Sequence, residues 1–149
     1  MRSGTSTRAC AEAAVHFGMG KTYVWAFTVQ PILEFMAQAR RAGKEGGSVA
    51  FGANWYSSMN RPDAEGIVRI TPTARIEGGH LWLVRGYNLR RGLALCENSW
   101  GDGWGKNGGF WVPLRDLERL IQEDGEACTL VEEKWKPKAV MPPPAKAAA

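Results

Sequence analysis

His80 and Asn98 are the two residues whose types and spacing could do chemistry together. His80 follows Gly78-Gly79 and begins an apolar run over residues 81–84, and Asn98 ends the next apolar run eighteen residues later. Two strands joined by a hairpin over residues 88–92 would lie side by side and bring the imidazole and the amide within hydrogen-bond reach. An amide oxygen that accepts from one imidazole N–H fixes the tautomer and aims the other ring nitrogen at a nucleophile.

Asn98 also begins a run that is rich in Trp and Gly. Residues 98–109 read Asn-Ser-Trp-Gly-Asp-Gly-Trp-Gly-Lys-Asn-Gly-Gly and hold two of the seven Trp and five of the eighteen Gly. A Trp beside the hydrogen bond from His80 to Asn98 would shield that bond from water. A lone histidine at the start of a strand is more often structural, so Asn98 and this run are what favour catalysis.

These motifs together resemble the C-terminal, His- and Asn-bearing half of papain-like cysteine peptidases. The resemblance is carried by Gly78-Gly79-His80, by the Gly86-Tyr87 after the strand, and by the pattern Asn-Ser-Trp-Gly-x-x-Trp-Gly-x-x-Gly from residue 98. It spans about residues 48–132, and its flavour is that of phage- and bacteria-encoded members, whose last helix carries a pattern like that of residues 116–120. The resemblance implies an α+β fold, namely the antiparallel, β-rich right-hand lobe of these enzymes.

The resemblance also implies an activity and a role for four residues. His80 would be the general base and thiolate partner, and Asn98 the group that orients it. Trp100 would shield their contact, and Trp104 would form a wall of the primed side of the substrate cleft. The implied reaction is hydrolysis of a peptide or protein substrate by acyl transfer, which uses neither a cofactor nor a metal.

The nucleophile of this family is missing from its usual place. Papain-like enzymes carry the catalytic Cys about 130–150 residues before the His, whereas Cys10, the thiol upstream of His80, lies only seventy residues before it. No Trp follows Cys10, and no Gln precedes it to complete an oxyanion hole. A place near a helix N-terminus would favour a thiolate there, but a small buried helix residue is the plainer interpretation. Cys96 and Cys128 fall in predicted strands and are interpreted as structural.

Three functions therefore remain open. The chain is a fragment or split product of a cysteine peptidase, with the nucleophile on an upstream segment or on a partner chain that carries the Cys-bearing lobe. Alternatively, it is a catalytically inactive relative that acts as a binding or structural module, for example in a phage particle. In the third hypothesis, Cys10 supplies the thiol of a shortened, rearranged site.

Composition excludes several other classes of protein. The chain has 149 residues, of which 44% are hydrophobic and 23% charged, as in one soluble globular domain. The apolar runs are far shorter than the ~18 residues of a membrane span, so we expect no membrane partner and a cytoplasmic location, in a host cell or in a virion if a phage encodes the chain. The net charge of +4 forms no single stripe, so no specific nucleic-acid partner is expected. Three cysteines and two histidines suit neither a disulfide framework nor a zinc site.

The periodicity of apolar residues predicts the elements that must position the site. Three helices are expected, over Gly4–Phe17, from Thr28 to about Gly43, and between Pro113 and Gly125. Six strands are expected, at Val49–Tyr56, Ile67–Ile70, His80–Tyr87, Leu93–Asn98, Phe110–Val112 and Ala127–Val131. The segment 18–22 ends like a phosphate-binding loop, but Val15 stands where that loop needs its first Gly, so it is interpreted as an ordinary loop before the strand-like residues 23–27.

The same pass divides the chain into three parts. Residues 1–45 are predicted to be a helical segment that packs on the sheet through the stripe Ile32 to Ala39, and residues 46–133 to be the β-lobe. Residues 134–149, rich in Lys, Pro and Ala, are predicted to be a disordered tail. Without a second lobe, an apolar face around Trp100 and Trp104 should stay partly exposed.

Overall fold

The computed structural model describes residues 6–42 and 47–131, which form an α+β fold, as predicted. The predicted tail 134–149 lies outside the described residues. The helices are α1 Thr7–His16, α2 Val29–Arg41 and α3 Leu114–Gln122. The strands are β1 Thr22–Ala26, β2 Val49–Tyr56, β3 Ile76–Asn88, β4 Leu93–Glu97, β5 Gly109–Pro113 and β6 Glu126–Val131. They pair antiparallel in one sheet, in the order β1-β6-β2-β3-β4-β5.

The sheet has one face that carries the main core and one that carries α1. Side chains alternate between the two faces along a strand, so Phe51 and Trp82 share the core face, with ring centroids 4.9 Å apart. Helices α2 and α3 pack there, and their apolar stripes supply Ile32 and Leu117, as was expected for α2. Helix α1 covers the other face, over β6 and β1.

Helix α2 receives its N-terminal cap from another helix. Thr28 occupies the N-cap position, but its side chain makes no capping hydrogen bond. Instead, the backbone N–H of Val29 donates to Oε2 of Glu118 on α3 at 2.7 Å. The free N–H groups at a helix start carry partial positive charge, so this carboxylate both pairs a donor and favours the helix dipole.

We expect Glu118→Ala to lower the free energy of unfolding by about 1–2 kcal/mol, because it removes both the cap and the favourable charge. Glu118→Gln keeps an acceptor and should lose less. Urea denaturation measures the difference. The matched control is Glu34→Ala, which removes an exposed carboxylate that accepts from Gln30 within α2 and should cost less than about 0.5 kcal/mol. Equal losses at the two positions would contradict the capping role.

The predicted strand Ile67–Ile70 is wrong. Ile67 forms only an isolated parallel bridge with Trp111 of β5. Asp63 accepts the backbone N–H of both Glu65 and Ile67 at 2.9 Å, which holds this stretch in a turn. Farther along, the Ile70 N–H donates to the buried Asp116 of α3 at 3.2 Å instead of to a strand.

The structure has one strand that was not among the six predicted strands, and it overlaps the residues 23–27 that were described only as strand-like. Residues 22–26 form β1, which pairs with β6 from Thr22 opposite Val131 to Ala26 opposite Ala127. Gly18 has a φ of +75°, which ends α1 in a turn rather than in a phosphate-binding loop. Only Thr22 of the predicted loop joins the strand.

Candidate active site

His80 and Asn98 meet at one end of the β3–β4 pair. Leu83 lies opposite Glu97, the last residue of β4 that pairs with β3. Asn98 comes directly after Glu97, and its side chain reaches His80 on β3. His80 Nε2 and Asn98 Oδ1 are 2.8 Å apart. Asn98 is buried, with 8% of its surface exposed, whereas His80 is half-buried. The structure thus brings together the two residues that the sequence singled out.

The hydrogen bonds of Asn98 fix the tautomer of His80. The Ser99 backbone N–H donates to the same Asn98 oxygen at 2.8 Å, which identifies that atom as the acceptor end of the amide. His80 Nε2 must therefore carry the hydrogen, and the lone pair of the neutral ring lies on Nδ1. No hydrogen bond joins Nδ1 to another described residue. In this tautomer Nδ1 is the ring nitrogen that can accept a hydrogen bond.

Three indoles enclose the His80 ring. Trp100 lies over it with centroids 4.8 Å apart and a tilt of 40°, and Trp55 meets it edge to face at 4.9 Å. Trp82 stacks at 6.0 Å on the core side. Trp100 is 44% exposed and forms the outer wall, whereas Trp55 and Trp82 are buried. A hydrogen bond shielded from water in this way is stronger than one in solvent.

Trp104 packs against Trp55 and Trp100, and with the three indoles around His80 it forms an indole cluster of Trp55, Trp82, Trp100 and Trp104. It is half-buried and lies 5.1 Å from Trp100, edge to face. Its loop is closed by backbone hydrogen bonds, from Asn98 N–H to the Gly108 carbonyl at 2.9 Å and from Gly108 N–H to the Trp104 carbonyl at 3.0 Å. Gly105 has a φ of +62°, and any side chain there would collide with the Gly109 carbonyl. The run of glycines is therefore what lets the loop fold tightly enough to present both indoles.

Two of the three cysteines are buried in the sheet. Cys96 on β4 is fully buried, and burial raises the pKa of its thiol well above the ordinary range. Burial also raises the pKa of Cys128 on β6 to about 11. A nucleophilic cysteine needs a thiolate at neutral pH. Neither residue meets that requirement, as expected for structural thiols.

Cys10 lies on the opposite face of the sheet from His80. It belongs to α1 and lines a groove of about 490 Å³ together with Cys128, Leu81 and Leu83. Leu81 and Leu83 alternate with His80 and Trp82 along β3, so the groove and the imidazole face away from each other. The structure therefore does not bring Cys10 to the His80–Asn98 pair.

We expect the half-buried Cys10 to react with iodoacetamide no faster than a free thiol, and His80→Ala to leave that rate unchanged, because the sheet separates the two groups. Mass spectrometry of labelled peptides over time measures the rate. His16→Ala, which removes the histidine on the same helix, is the matched control. A tenfold or greater slowing in His80→Ala alone would restore Cys10 as the nucleophile.

The described residues offer neither a metal-binding cluster nor a membrane-spanning helix. Within 6–42 and 47–131, no cluster of three or more His, Cys, Asp or Glu side chains could hold a metal ion. No helix in these ranges is both long enough and apolar enough to span a membrane. His16 is exposed in the last turn of α1 and packs its ring on Phe17.

Sequence reasoning missed three residues that shape the site, namely Trp55, Trp82 and Asn60. Trp55 and Trp82 share the core face with His80, which strand alternation could have shown once the register was known. Asn60 contacts two indoles of the cluster from a turn after β2. No local pattern marks that role, because it depends on how the turn packs against the loop 98–109.

Comparison with known proteins returns structural neighbours only. No protein-family model matches the chain, and no curated protein matches it. One similar solved structure is xylellain, a cysteine protease from Xylella fastidiosa, at 26% identity over 58% of this chain and 33% of that one, with a TM-score of 0.47. Another is digestive procathepsin L2 proteinase from Tenebrio molitor larval midgut, at 24% identity over 75% of this chain and 34% of that one, with a TM-score of 0.44. The chain thus spans about a third of the length of these neighbours.

Proposed function

We propose that this chain supplies the histidine and asparagine half of a papain-like cysteine peptidase active site. The observation that carries the proposal is the 2.8 Å contact between His80 Nε2 and Asn98 Oδ1 beneath Trp100. It occurs within the two motifs that resemble this family, and it leaves Nδ1 as the basic nitrogen. The thiol comes from a Cys-bearing lobe outside residues 6–42 and 47–131, on a preceding segment or on a separate chain.

The geometry suits acyl transfer to a thiol. Nδ1 of His80 takes the proton of the cysteine thiol, and the thiolate sulfur attacks the carbonyl carbon of the scissile peptide bond. The imidazolium then returns this proton to the leaving amine as the C–N bond breaks, which leaves a thioester. Water, deprotonated by the same nitrogen, hydrolyses the thioester and releases the carboxylic acid and the thiol. Asn98 keeps Nδ1 aimed at the sulfur throughout, because it holds Nε2.

The exposed side of the indole cluster is where the second lobe and the substrate would lie. Trp100 is 44% exposed although its ring contacts three other aromatic side chains. A large apolar side chain so exposed at the mouth of a site favours contact with another surface. We propose that Trp104, half-buried beside it, forms a wall for the part of the peptide that leaves first.

The test begins with the reading frames next to this one. We expect one of them, or the same frame upstream, to encode a Gln-x-x-x-x-x-Cys motif. Co-expression of that polypeptide with this chain should give a complex whose cysteine is alkylated by an epoxide at least about 100-fold faster than in the complex with His80→Ala, because imidazole stabilises the thiolate. A partner thiol that reacts equally fast in both complexes would contradict the proposal.

A second candidate is a catalytically inactive papain-like module that acts as a binding or structural protein, for example in a phage particle. It is favoured by the position of Cys10 behind the sheet and by the burial of Cys96 and Cys128. This candidate predicts that no neighbouring frame encodes the Cys-bearing lobe and that the chain is a stable monomer by itself.

A further inference from the structure

Asn60 ties together the side chains that surround His80. It ends the short 3-10 turn Ser57–Asn60 that follows β2. Its side-chain Oδ1 accepts the indole N–H of Trp55 at 2.8 Å, and its backbone carbonyl accepts the indole N–H of Trp104 at 2.9 Å. Its Nδ2 donates to Oε2 of Glu77 on β3 at 2.7 Å. One residue thus holds two indoles of the site and is itself held by the strand that bears His80.

Trp55 transmits this restraint to the histidine. It is 4% exposed, and its ring lies between those of His80, at 4.9 Å, and Trp104, at 6.2 Å. A buried indole N–H that loses its acceptor costs about 1–3 kcal/mol. The hydrogen bond to Asn60 therefore fixes the rotation of the Trp55 ring, and the edge-to-face contact fixes the plane of the His80 ring.

The contact with Glu77 fixes which end of the Asn60 amide faces Trp55. Glu77 Oε2 is a carboxylate oxygen and can only accept, so Nδ2 must point to it and Oδ1 must point to the indole. An amide turned the other way would oppose two donors at Trp55 and two acceptors at Glu77. Glu77 is thus part of the restraint, although its side chain is 35% exposed.

We propose that Asn60 is a positioning residue for His80. Acting through Trp55, Asn60 keeps His80 Nε2 hydrogen-bonded to Asn98 and leaves Nδ1 without an intramolecular partner among the described residues. Its importance for catalysis rests on the proposed function, whereas its effect on the His80 ring does not. The hydrogen bonds of Asn60 go to Trp55, Trp104 and Glu77 and not to the imidazole. We infer that without it the hydrogen bond from His80 to Asn98 breaks more often.

The test uses the exchange of the His80 Nε2–H proton with water, followed by ¹⁵N-edited NMR. The chain has two histidines, and the exposed His16 provides an internal reference. We expect a slowly exchanging ring N–H for His80 and at least a tenfold faster exchange in Asn60→Ala. Asn60→Asp combined with Glu77→Gln exchanges the carboxylate and the amide, keeps both hydrogen bonds, and should restore slow exchange.

Glu77→Ala provides a second test in case Asn60→Ala does not fold. It removes the partner of Asn60 Nδ2 at a partly exposed position, and it should raise the exchange rate a few-fold with the Trp55 packing intact. Unchanged exchange in both Asn60→Ala and Glu77→Ala, or no rescue by the exchanged pair, would overturn the proposal. A failure of the proposed function would look different, since the paired chains would then lack reactivity while these exchange rates changed as expected.

Discussion

Asn98→Ala will free the His80 ring while the fold stays intact. The variant removes the acceptor that lies 2.8 Å from Nε2, so the ring N–H is exposed to water and should exchange at least about 100-fold faster. The free energy of unfolding should fall by only about 1 kcal/mol. The reason is that Nδ2 of Asn98 has no hydrogen-bond partner among the described residues, and the other donor to Oδ1 belongs to the exposed Ser99.

The matched control for this prediction is Asn98→Asp. It keeps an oxygen acceptor in the same place, so the His80 N–H should remain in slow exchange. ¹⁵N-edited NMR gives the exchange rates, and urea denaturation gives the stability. A loss of several kcal/mol in Asn98→Ala would instead make Asn98 a buried structural residue, and unchanged exchange would mean that it does not orient the ring.

Phe51→Ala will lower the free energy of unfolding by about 3–5 kcal/mol. Phe51 is fully buried near the start of β2, where its ring packs 4.9 Å from Trp82. Residues from both neighbouring strands lie opposite it, Trp82 on β3 and Ala127 on β6. Because these strands are held in place by the sheet, the cavity left by the ring cannot collapse fully.

Phe17→Ala is the control for this prediction, since it removes the same side chain from a position that is 78% exposed. Its effect should lie within about 0.5 kcal/mol. Thermal or urea unfolding of both variants provides the comparison. A cost below about 1 kcal/mol at Phe51 would mean that the core does not lie on this face of the sheet.

The pairing of His80 with Asn98 was accessible from the sequence because both residues belong to one hairpin. His80 begins one apolar run and Asn98 ends the other, and the turn between the runs makes the two strands neighbours. The sequence did not show the β-bulge between Val84 and Gly86, which shifts the register by one residue and places Asn98 on the same face as His80. The position of Trp100 over the ring follows from its place two residues after Asn98. Local patterns of this kind also predict the three helices, whose apolar stripes lie within their own segments, whereas the cap of α2 comes from Glu118 of α3 and has no local signal.

Features that depend on distant partners were not accessible in the same way. The strand β1 exists because β6, more than a hundred residues later in the chain, offers it an edge. Residues 67–70 look like a strand but are held by Asp63 and Asp116 instead. The hydrogen bonds that link Asn60 to Trp55 and Trp104 join a turn to a strand and a loop, and periodicity carries no signal for such contacts.

The location of Cys10 also depends on tertiary packing that the sequence does not predict, and here the consequence for function is greater. A thiol on an Ala-rich helix is compatible in sequence with an active site, and only the packing of α1 decides which face of the sheet it joins. Because α1 covers the face opposite His80, the nucleophile of a working site must come from elsewhere. The proposed peptidase activity therefore requires a second polypeptide segment.

The most direct test is the rate of peptide hydrolysis by this chain combined with the polypeptide that carries the Cys-bearing lobe. We expect the combined chains to cleave a peptide substrate and each chain alone to be inactive. His80→Ala should lower kcat/KM by about 10²–10⁴-fold, the contribution of a general base. Cleavage that is equally fast with His80→Ala, or no cleavage by the combined chains, would contradict the assignment of this chain as the histidine and asparagine half of a cysteine peptidase.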